Sequence, residues 1–426
     1  MTHDQIHRRE SHRLQWIAIA CVAAVGVPGM VLRVTGTHTD AWLGAIIFGF
    51  AILAGAFLLS WAAETAEMDI SQGLALAIIA FIAVLPEYAV DFVLAWKAGA
   101  DPAEAEKGLA IANMTGGNRL LIGVGWPVVF ALFFYRTRLR MLVVDRQRAL
   151  ELAFLGVATL YVILIPLRTT LTLIDTMVLV TLFVIYLIYT SKSESEEVEL
   201  VGPARAMGSL RDGPRRTVVL GVLVFSGAVI IASAEPFAES LVHLGEQLGV
   251  SEFLLIQWLA PLASESPEVL VAGLLAWRGR AAVGMGALIS SKVNQWTLLI
   301  GTLPLAFMLS SGEWGLTHGL PLDHRQREEI LLTAAQSAFA IAVFVNLKMS
   351  TREALALFVL FATQLVITDE RVRVVYSFIY ITMCVLLLLF SHREARVTAR
   401  SAWGILRGRE VAEPEPEAEA TITRSG

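Results

Sequence analysis

Two stretches decide the fold: residues 82–96, IAVLPEYAVDFVLAW, and residues 262–277, LASESPEVLVAGLLAW. Each sets a Pro-Glu pair inside an apolar run, Pro86-Glu87 in the first and Pro267-Glu268 in the second. In both, the Trp of a Leu-Ala-Trp triplet follows the glutamate by nine positions (96 − 87 = 277 − 268 = 9). Ionisable groups at membrane depth are costly and mark ion or substrate pathways. Two of them at matching places in two halves are the pattern of a transporter with its site at a repeat interface.

The composition agrees. The chain has 426 residues, of which 56% are hydrophobic and 17% charged, against about 25% charged in a soluble domain. Mean hydropathy is +0.65. Apolar stretches near the length of a bilayer-spanning helix recur along most of the chain. The alternating segments of a membrane β-barrel are absent from the sequence. Cys21 and Cys384 lie in apolar stretches and imply neither a disulfide framework nor a metal cluster. His3, His7 and His12 read as part of a solvated tail, and the apolar run after them is long enough to stay as a helix rather than be cleaved.

The predicted fold is an all-α integral membrane protein of about twelve spans. They fall at 14–32, 41–63, 70–98, 108–135, 149–166, 171–190, 216–234, 251–277, 282–310, 329–347, 353–368 and 372–391. Residues 1–40 hold an N-terminal tail and an extra helix. A first repeat covers 41–190 and a second covers 216–370, with a polar linker at 191–215 between them. A second extra helix covers 371–391. Residues 392–426 are expected to be a disordered tail, basic and then acidic and Pro-rich (AEPEPEAEA). Each repeat holds five helices, an odd number, so the second must enter the membrane from the opposite face. AGAFLLSWAAETAE (54–67) before the first Pro-Glu helix resembles SGAVIIASAEPFAES (226–240) before the second. Loop Lys and Arg place both termini in the cytoplasm, and the protein is expected to be a multi-pass protein of the inner membrane. Trp96, Trp126, Trp258 and Trp277, near helix ends, read as interfacial anchors.

Proline inside a helix frees a backbone carbonyl, which in lipid needs protein, water or a cation as partner. A hard divalent cation takes several oxygens from carboxylates and carbonyls, and a break with a glutamate beside it offers both. Asp91 is four residues after Glu87 and Glu265 three before Glu268, each pair on one helix face. Four carboxylates in one dry site repel strongly unless protons or a bound cation neutralise part of their charge. A buried structural pair is the blander reading of these acids. The next helix of each half adds amides and hydroxyls: GLAIANMTGGNRLLIG (108–123) with Asn113, Gly117 and Asn118, and GMGALISSKVNQWTLLIG (284–301) with Ser290, Ser291, Lys292, Asn294 and Gln295. Their oxygens suit Na⁺ or Ca²⁺, and they suit helix–helix hydrogen bonds equally. Lys292 has two readings: a cation that stands in for a coupling ion and exchanges protons, or a fixed salt bridge to Glu265 or Asp91. Arg119 is expected to point away from the site. Glu64, Glu67, Glu235 and Glu239 read as residues of wetter interfacial layers.

On these residues the sequence resembles the sodium/calcium exchanger family, within the cation/calcium antiporters. That family carries inverted repeats with a G-T-S-x-P-E segment and then G-N-x-x-G-S-N-x-x-N. Here these appear as Ile82–Glu87 and Ala263–Glu268, and as Ala112–Asn118 and Gly286–Lys292. The resemblance implies that Glu87 and Glu268 match the central cation-binding, metal-ligating glutamates, Asn118 a polar position of the first repeat and Ser264 a hydroxyl position of the second. There are departures. Ala83 and Val84 replace the Thr-Ser pair, Glu265 a serine, Lys292 an Asn, and Leu121 and Gln295 the last Asn of each motif, while Asp91 stands where a serine is common. Amide and hydroxyl ligands for Na⁺ are lost and titratable groups gained.

The sequence therefore predicts a secondary cation antiporter, not an enzyme, working by alternating access with Ca²⁺ or another metal or alkali ion exchanged against H⁺ or Na⁺. Ligands would come from Glu87, Glu268, Asp91, Glu265, Asn113, Asn118, Ser264, Ser291, Lys292 and Gln295. The expected partners are membrane lipid and transported cations, with no cofactor and no nucleic acid. A sodium-coupled calcium exchanger and a transport-inactive scaffold or sensor are the alternatives.

Overall fold

The computed structural model describes residues 3–37, 39–66, 68–69, 85–191, 200, 202–366 and 370–407. The first half of the 70–98 prediction, Glu67, the middle of the linker and the acidic tail from 408 lie outside the described residues. So do the side chains of His3, His7 and His12.

Helix α1 spans His3–Thr35 and α2 Ala41–Ala66. Helix α3 (Leu85–Ala100) starts at the first Pro-Glu pair, and the short α4 (Pro102–Lys107) is capped by Asp101. Helix α5 (Leu109–Leu120) runs through a π-helical turn, Leu121–Gly125, into α6 (Trp126–Thr137). Strand β1 (Met141–Val143), helix α7 (Arg148–Val162), a 3₁₀ turn (Ile165–Leu167), strand β2 (Thr170–Thr172) and helix α8 (Leu173–Thr190) complete the first repeat. The linker contributes α9 (Ala204–Gly208), which packs on α1 and α2.

The second repeat follows the same order. It has α10 (Asp212–Leu248), α11 (Glu252–Trp277), and α12 (Ala281–Asn294) joined through a π-helical turn, Gln295–Leu299, to α13 (Ile300–Ser311). Then come β3 (Gly319–Pro321), α14 (His324–Val343), a 3₁₀ turn (Phe344–Asn346), β4 (Lys348–Ser350) and α15 (Thr351–Val366). Helix α16 (Glu370–Phe390) and helix α17 (His392–Leu406) close the described chain.

Ten helices among the described residues are long and apolar enough to cross a membrane. Helices α3 and α15, at 16 residues each, occupy the remaining two predicted positions. Exposed large apolar side chains such as Leu160, Leu220, Ile231 and Phe378 line the outer helix faces, as a bilayer solvent requires.

The strands show that the repeats are inverted. β1, just before α7, pairs antiparallel with β4, just after α14, in the register Met141↔Ser350 to Val143↔Lys348. β2, just after α7, pairs with β3, just before α14, from Thr170↔Pro321 to Thr172↔Gly319. The end where α7 begins is thus the end where α14 finishes, so these equivalent helices run in opposite directions. Helices α2 and α10, also equivalents, pack along one another. Gly44, Gly49 and Gly55 of α2 lie against the side chains of Ser240, Phe237 and Ile230 of α10, so a Cβ at any of them would press on the residue it faces.

Three expectations are corrected. The tail from 392 is not irregular at its start: His392–Leu406 is helical, because one face carries Ser391, Ala395, Thr398 and Ala402 against the protein while its arginines face outward. Trp126 is no interfacial anchor. It is fully buried, edge-on to Phe344 at 5.2 Å, because its helix turns it to the second repeat. Helix α11 does not break at Pro267, and it runs through Pro261 as well. Ser266 Oγ donates to the Leu262 carbonyl and Ser264 Oγ lies 3.4 Å from those of Ala260 and Pro261, so both hydroxyls of this stretch are satisfied by their own helix.

Candidate ion-binding site

The π-helical turns set the frame. They begin at residues 121 and 295, an offset of 174. The same offset maps Asn118 onto Lys292 (292 − 118 = 174). These two equivalents meet: Lys292 Nζ donates to Asn118 Oδ1 at 2.5 Å and lies 3.4 Å from the Asn118 carbonyl. The ammonium also sits 4.1 Å from the centre of the Trp296 ring, and Lys292 is 0% exposed. Neither predicted salt bridge of Lys292 is present among the described residues. Glu265 is within electrostatic reach but not paired, because the amide of the equivalent residue already holds the ammonium.

Around this contact lies a cavity with about 190 Å³ of empty space. Glu87, Asp91, Asn113, Gly117 and Asn118 of the first repeat line it, with Pro261, Ser264, Glu265 and Gln295 of the second. Met114 and Leu299 complete the wall. Asn113 Nδ2 donates to Asp91 Oδ1 at 2.8 Å, and Gln295 Nε2 donates to Glu265 Oε1 at 2.7 Å. Glu87 lies within electrostatic range of Glu265, Glu268 and Asp91, and Glu265 within range of Glu268 and Asp91. Seven buried oxygens have no donor: both of Glu87 and one each of Asp91, Asn113, Glu265, Glu268 and Gln295. Native interiors leave few such atoms, and a set of acceptors without donors is what a hard cation needs.

The structure does not bring every predicted residue to the cavity wall. Glu268 is half-buried and stands outside the lining, bonded to Ser291. Ser291 in turn contacts Gln295 Nε2 at 3.4 Å. Lys292 lies behind Asn118. No three His, Cys, Asp or Glu side chains among the described residues are close enough to hold a metal ion as they stand, so a bound ion would have to draw the acids inward. Sequence reasoning missed Tyr88, whose hydroxyl donates to Asn294 Oδ1 at 3.0 Å and ties α3 to α12. Its place one residue after Glu87 was the available signal.

Arg119 points away, as expected. It pairs with Glu329 of α14 at 2.7 Å and covers Trp258 at 4.9 Å. Glu235 pairs with Arg33 and Glu239 with Lys97, each at 2.6 Å and partly exposed.

A family model described as sodium/calcium exchanger protein matches residues 40–192 and 218–368. These are the two repeats, without α1, most of the linker, α16 and α17. The chain is similar to the crystal structure of the H⁺/Ca²⁺ exchanger CAX, with 42% identity and a TM-score of 0.88 over 93% of this chain and 99% of that one. It shares a fold with YfkE (15% identity, TM-score 0.61, 82% of this chain and 98% of that one). It also shares one with the sodium-calcium exchanger NCX_Mj (17% identity, TM-score 0.52, 77% of this chain and 98% of that one). Sodium/calcium exchanger MaX1 of Methanosarcina acetivorans is 28% identical over 100 residues, 24% of this chain, and the match spans 29% of that curated relative's length. With both repeats matched and the donorless acids at their interface, the chain belongs to the sodium/calcium exchanger family.

Proposed function

We propose that this chain is a secondary antiporter of the inner membrane that exchanges Ca²⁺ against H⁺ through one site between its repeats. The seven donorless oxygens carry the reading. Both repeats contribute to them, and they can be satisfied by a divalent cation or, at the carboxylates, by protons. Exchange follows because the two occupancies exclude each other. Glu87 is the central ligand, Asp91 and Glu265 flank it, and Asn113 and Gln295 orient those two carboxylates by donating to one oxygen of each. Glu268 joins when the ion draws α11 inward, with Ser264 and Asn118 as neutral oxygens. Lys292, held by Asn118 within reach of Glu265, takes the place of an amide ligand, which disfavours a second bound cation such as Na⁺. The similarity to the H⁺/Ca²⁺ exchanger CAX, at 42% identity, supports the same reading.

Purified protein in proteoliposomes tests this. An imposed pH gradient is expected to drive ⁴⁵Ca²⁺ uptake, while an imposed Na⁺ gradient at fixed pH drives none. Uptake driven by Na⁺ alone would establish the sodium-coupled alternative, and no flux under either gradient would favour the scaffold or sensor. Glu87→Gln is expected to lower Ca²⁺ affinity by on the order of 100-fold, the upper range for disturbing even an outer contact of a metal.

A further inference from the structure

Helix α17 leaves the membrane with a face that no other described residue covers. Only Ser391 separates it from the spanning helix α16, which ends at Phe390. Its inward stripe packs on α7 and the 3₁₀ turn after α14, and Thr398 Oγ1 donates to the Val345 carbonyl at 2.6 Å. The opposite stripe recurs at helical spacing as Arg393, Arg396, Arg400, Trp403 and Arg407, all exposed. Arg407 lies over the Trp403 ring at 4.8 Å. The only acid of the helix, Glu394, falls off this stripe, and Arg393, Arg396 and Arg400 make no ion pair among the described residues. Arginines at i, i+3 and i+4 repel one another, so the arrangement is unfavourable unless an anionic surface meets it. The helix docks at the end of the molecule that carries β1 and β4, the end where Arg136, Arg138, Arg140, Lys348 and Arg352 also lie in sequence beside those strands. A cluster of four to eight basic residues next to a spanning helix is the pattern that binds anionic headgroups, and a tryptophan beside it suits the headgroup layer.

We infer that α17 is an interfacial helix whose Arg393–Arg396–Arg400–Arg407 stripe binds the phosphates of anionic phospholipid. It spans about 22 Å, at about 1.5 Å per residue, so it reaches several headgroups at once. The inference stands apart from the ion exchanged.

The test uses the full chain with Cys21→Ser, Cys384→Ser and Gly404→Cys, since a side chain at 404 meets open space. A nitroxide at 404 is read against nickel-chelating lipid in vesicles of phosphatidylcholine alone or with phosphatidylglycerol. Relaxation by the headgroup nickel is expected with phosphatidylglycerol and lost without it. It is also lost in high salt and in the variant Arg393→Gln/Arg396→Gln/Arg400→Gln/Arg407→Gln, whose inward stripe is unchanged. Equal relaxation in the two lipids, or none in either, would overturn the inference, and the unmutated stripe alone decides this. Relaxation that appears only after residues 408–426 are removed would overturn it too, because the acidic tail would then be the occupant.

Discussion

At the scale of single residues, charges at membrane depth here fall into two kinds. Glu87, Asp91 and Glu265 have no cationic partner within ion-pair distance among the described residues. Arg119 and Glu329, 2% and 2% exposed, are paired at 2.7 Å. Breaking a buried pair from one side leaves an uncompensated charge, which costs about 3–5 kcal/mol, whereas replacing both partners with apolar groups is near neutral. Arg119→Leu is therefore expected to lower the thermal unfolding temperature of the detergent-solubilised protein sharply. Arg119→Leu/Glu329→Leu should recover most of the loss, with Arg373 still held by Glu328 at 3.1 Å. A double variant as unstable as the single one would show that Arg119 acts through Trp258 instead. The sequence separates the two kinds only in part. The duplicated Pro-Glu pair singles out Glu87 and Glu268, and helical spacing adds Asp91 and Glu265. That Glu268 stands outside the lining, and that Lys292 bonds Asn118, depends on how two segments more than 170 positions apart are turned toward each other, which local periodicity does not encode.

At the scale of elements, apolar runs locate the helices because lipid demands them, but polar extensions escape that signal. Helix α10 was expected at 216–234 and runs from Asp212 to Leu248, since its ends leave the hydrocarbon region yet continue to pack. Helix α17 was hidden by its arginines for the same reason. The π-helical turns and the paired strands have no local signature at all. One polar contact fixes where α10 begins. Asp69, just past α2, accepts from Arg215 Nη2 at 2.7 Å and Nε at 2.8 Å, and from Arg216 Nε at 3.0 Å. The Arg215 hydrogen bond, with Arg216 adding to it, lowers the Asp69 carboxyl from 3.8 to about 2. A depressed folded-state value means stability that is present above the unfolded value and lost as pH falls through the folded one. The clasp is thus expected to loosen between about pH 4 and pH 2, read by faster hydrogen exchange at the end of α2. Asp69→Asn should exchange fast throughout, with no step in that window. A step that persists in Asp69→Asn would assign it to another carboxylate.

For the whole molecule, the inverted repeat was legible because five is odd and the two Pro-Glu segments match. Its geometric proof was not, because it lies in the cross-pairing of β1 with β4 and β2 with β3. Equivalent helices that lie beside the axis of such a twofold meet there, and α2 and α10 do so with Gly44, Gly49 and Gly55 of α2 at the contact. Alternating access needs some interface between helices to slide. The α2–α10 contact is a poor candidate. A Cβ added at Gly44 would lie 3.4 Å from Ser240 Cβ and one at Gly55 2.7 Å from Ile230 Cγ1, and close-packed interfaces switch between discrete states rather than deform. These two helices are thus expected to move as one body against the helices that carry the acids. Gly44→Cys with Ser240→Cys, in a background of Cys21→Ser and Cys384→Ser, places two thiols near the roughly 3.5–4.5 Å Cβ separation of a disulfide. Oxidation should form the bond and raise stability by about 2–4 kcal/mol, while cation exchange in vesicles continues at a similar rate with or without reductant. Exchange that stops on oxidation and returns on reduction would place the sliding interface between α2 and α10 and divide the moving bodies along the repeat boundary.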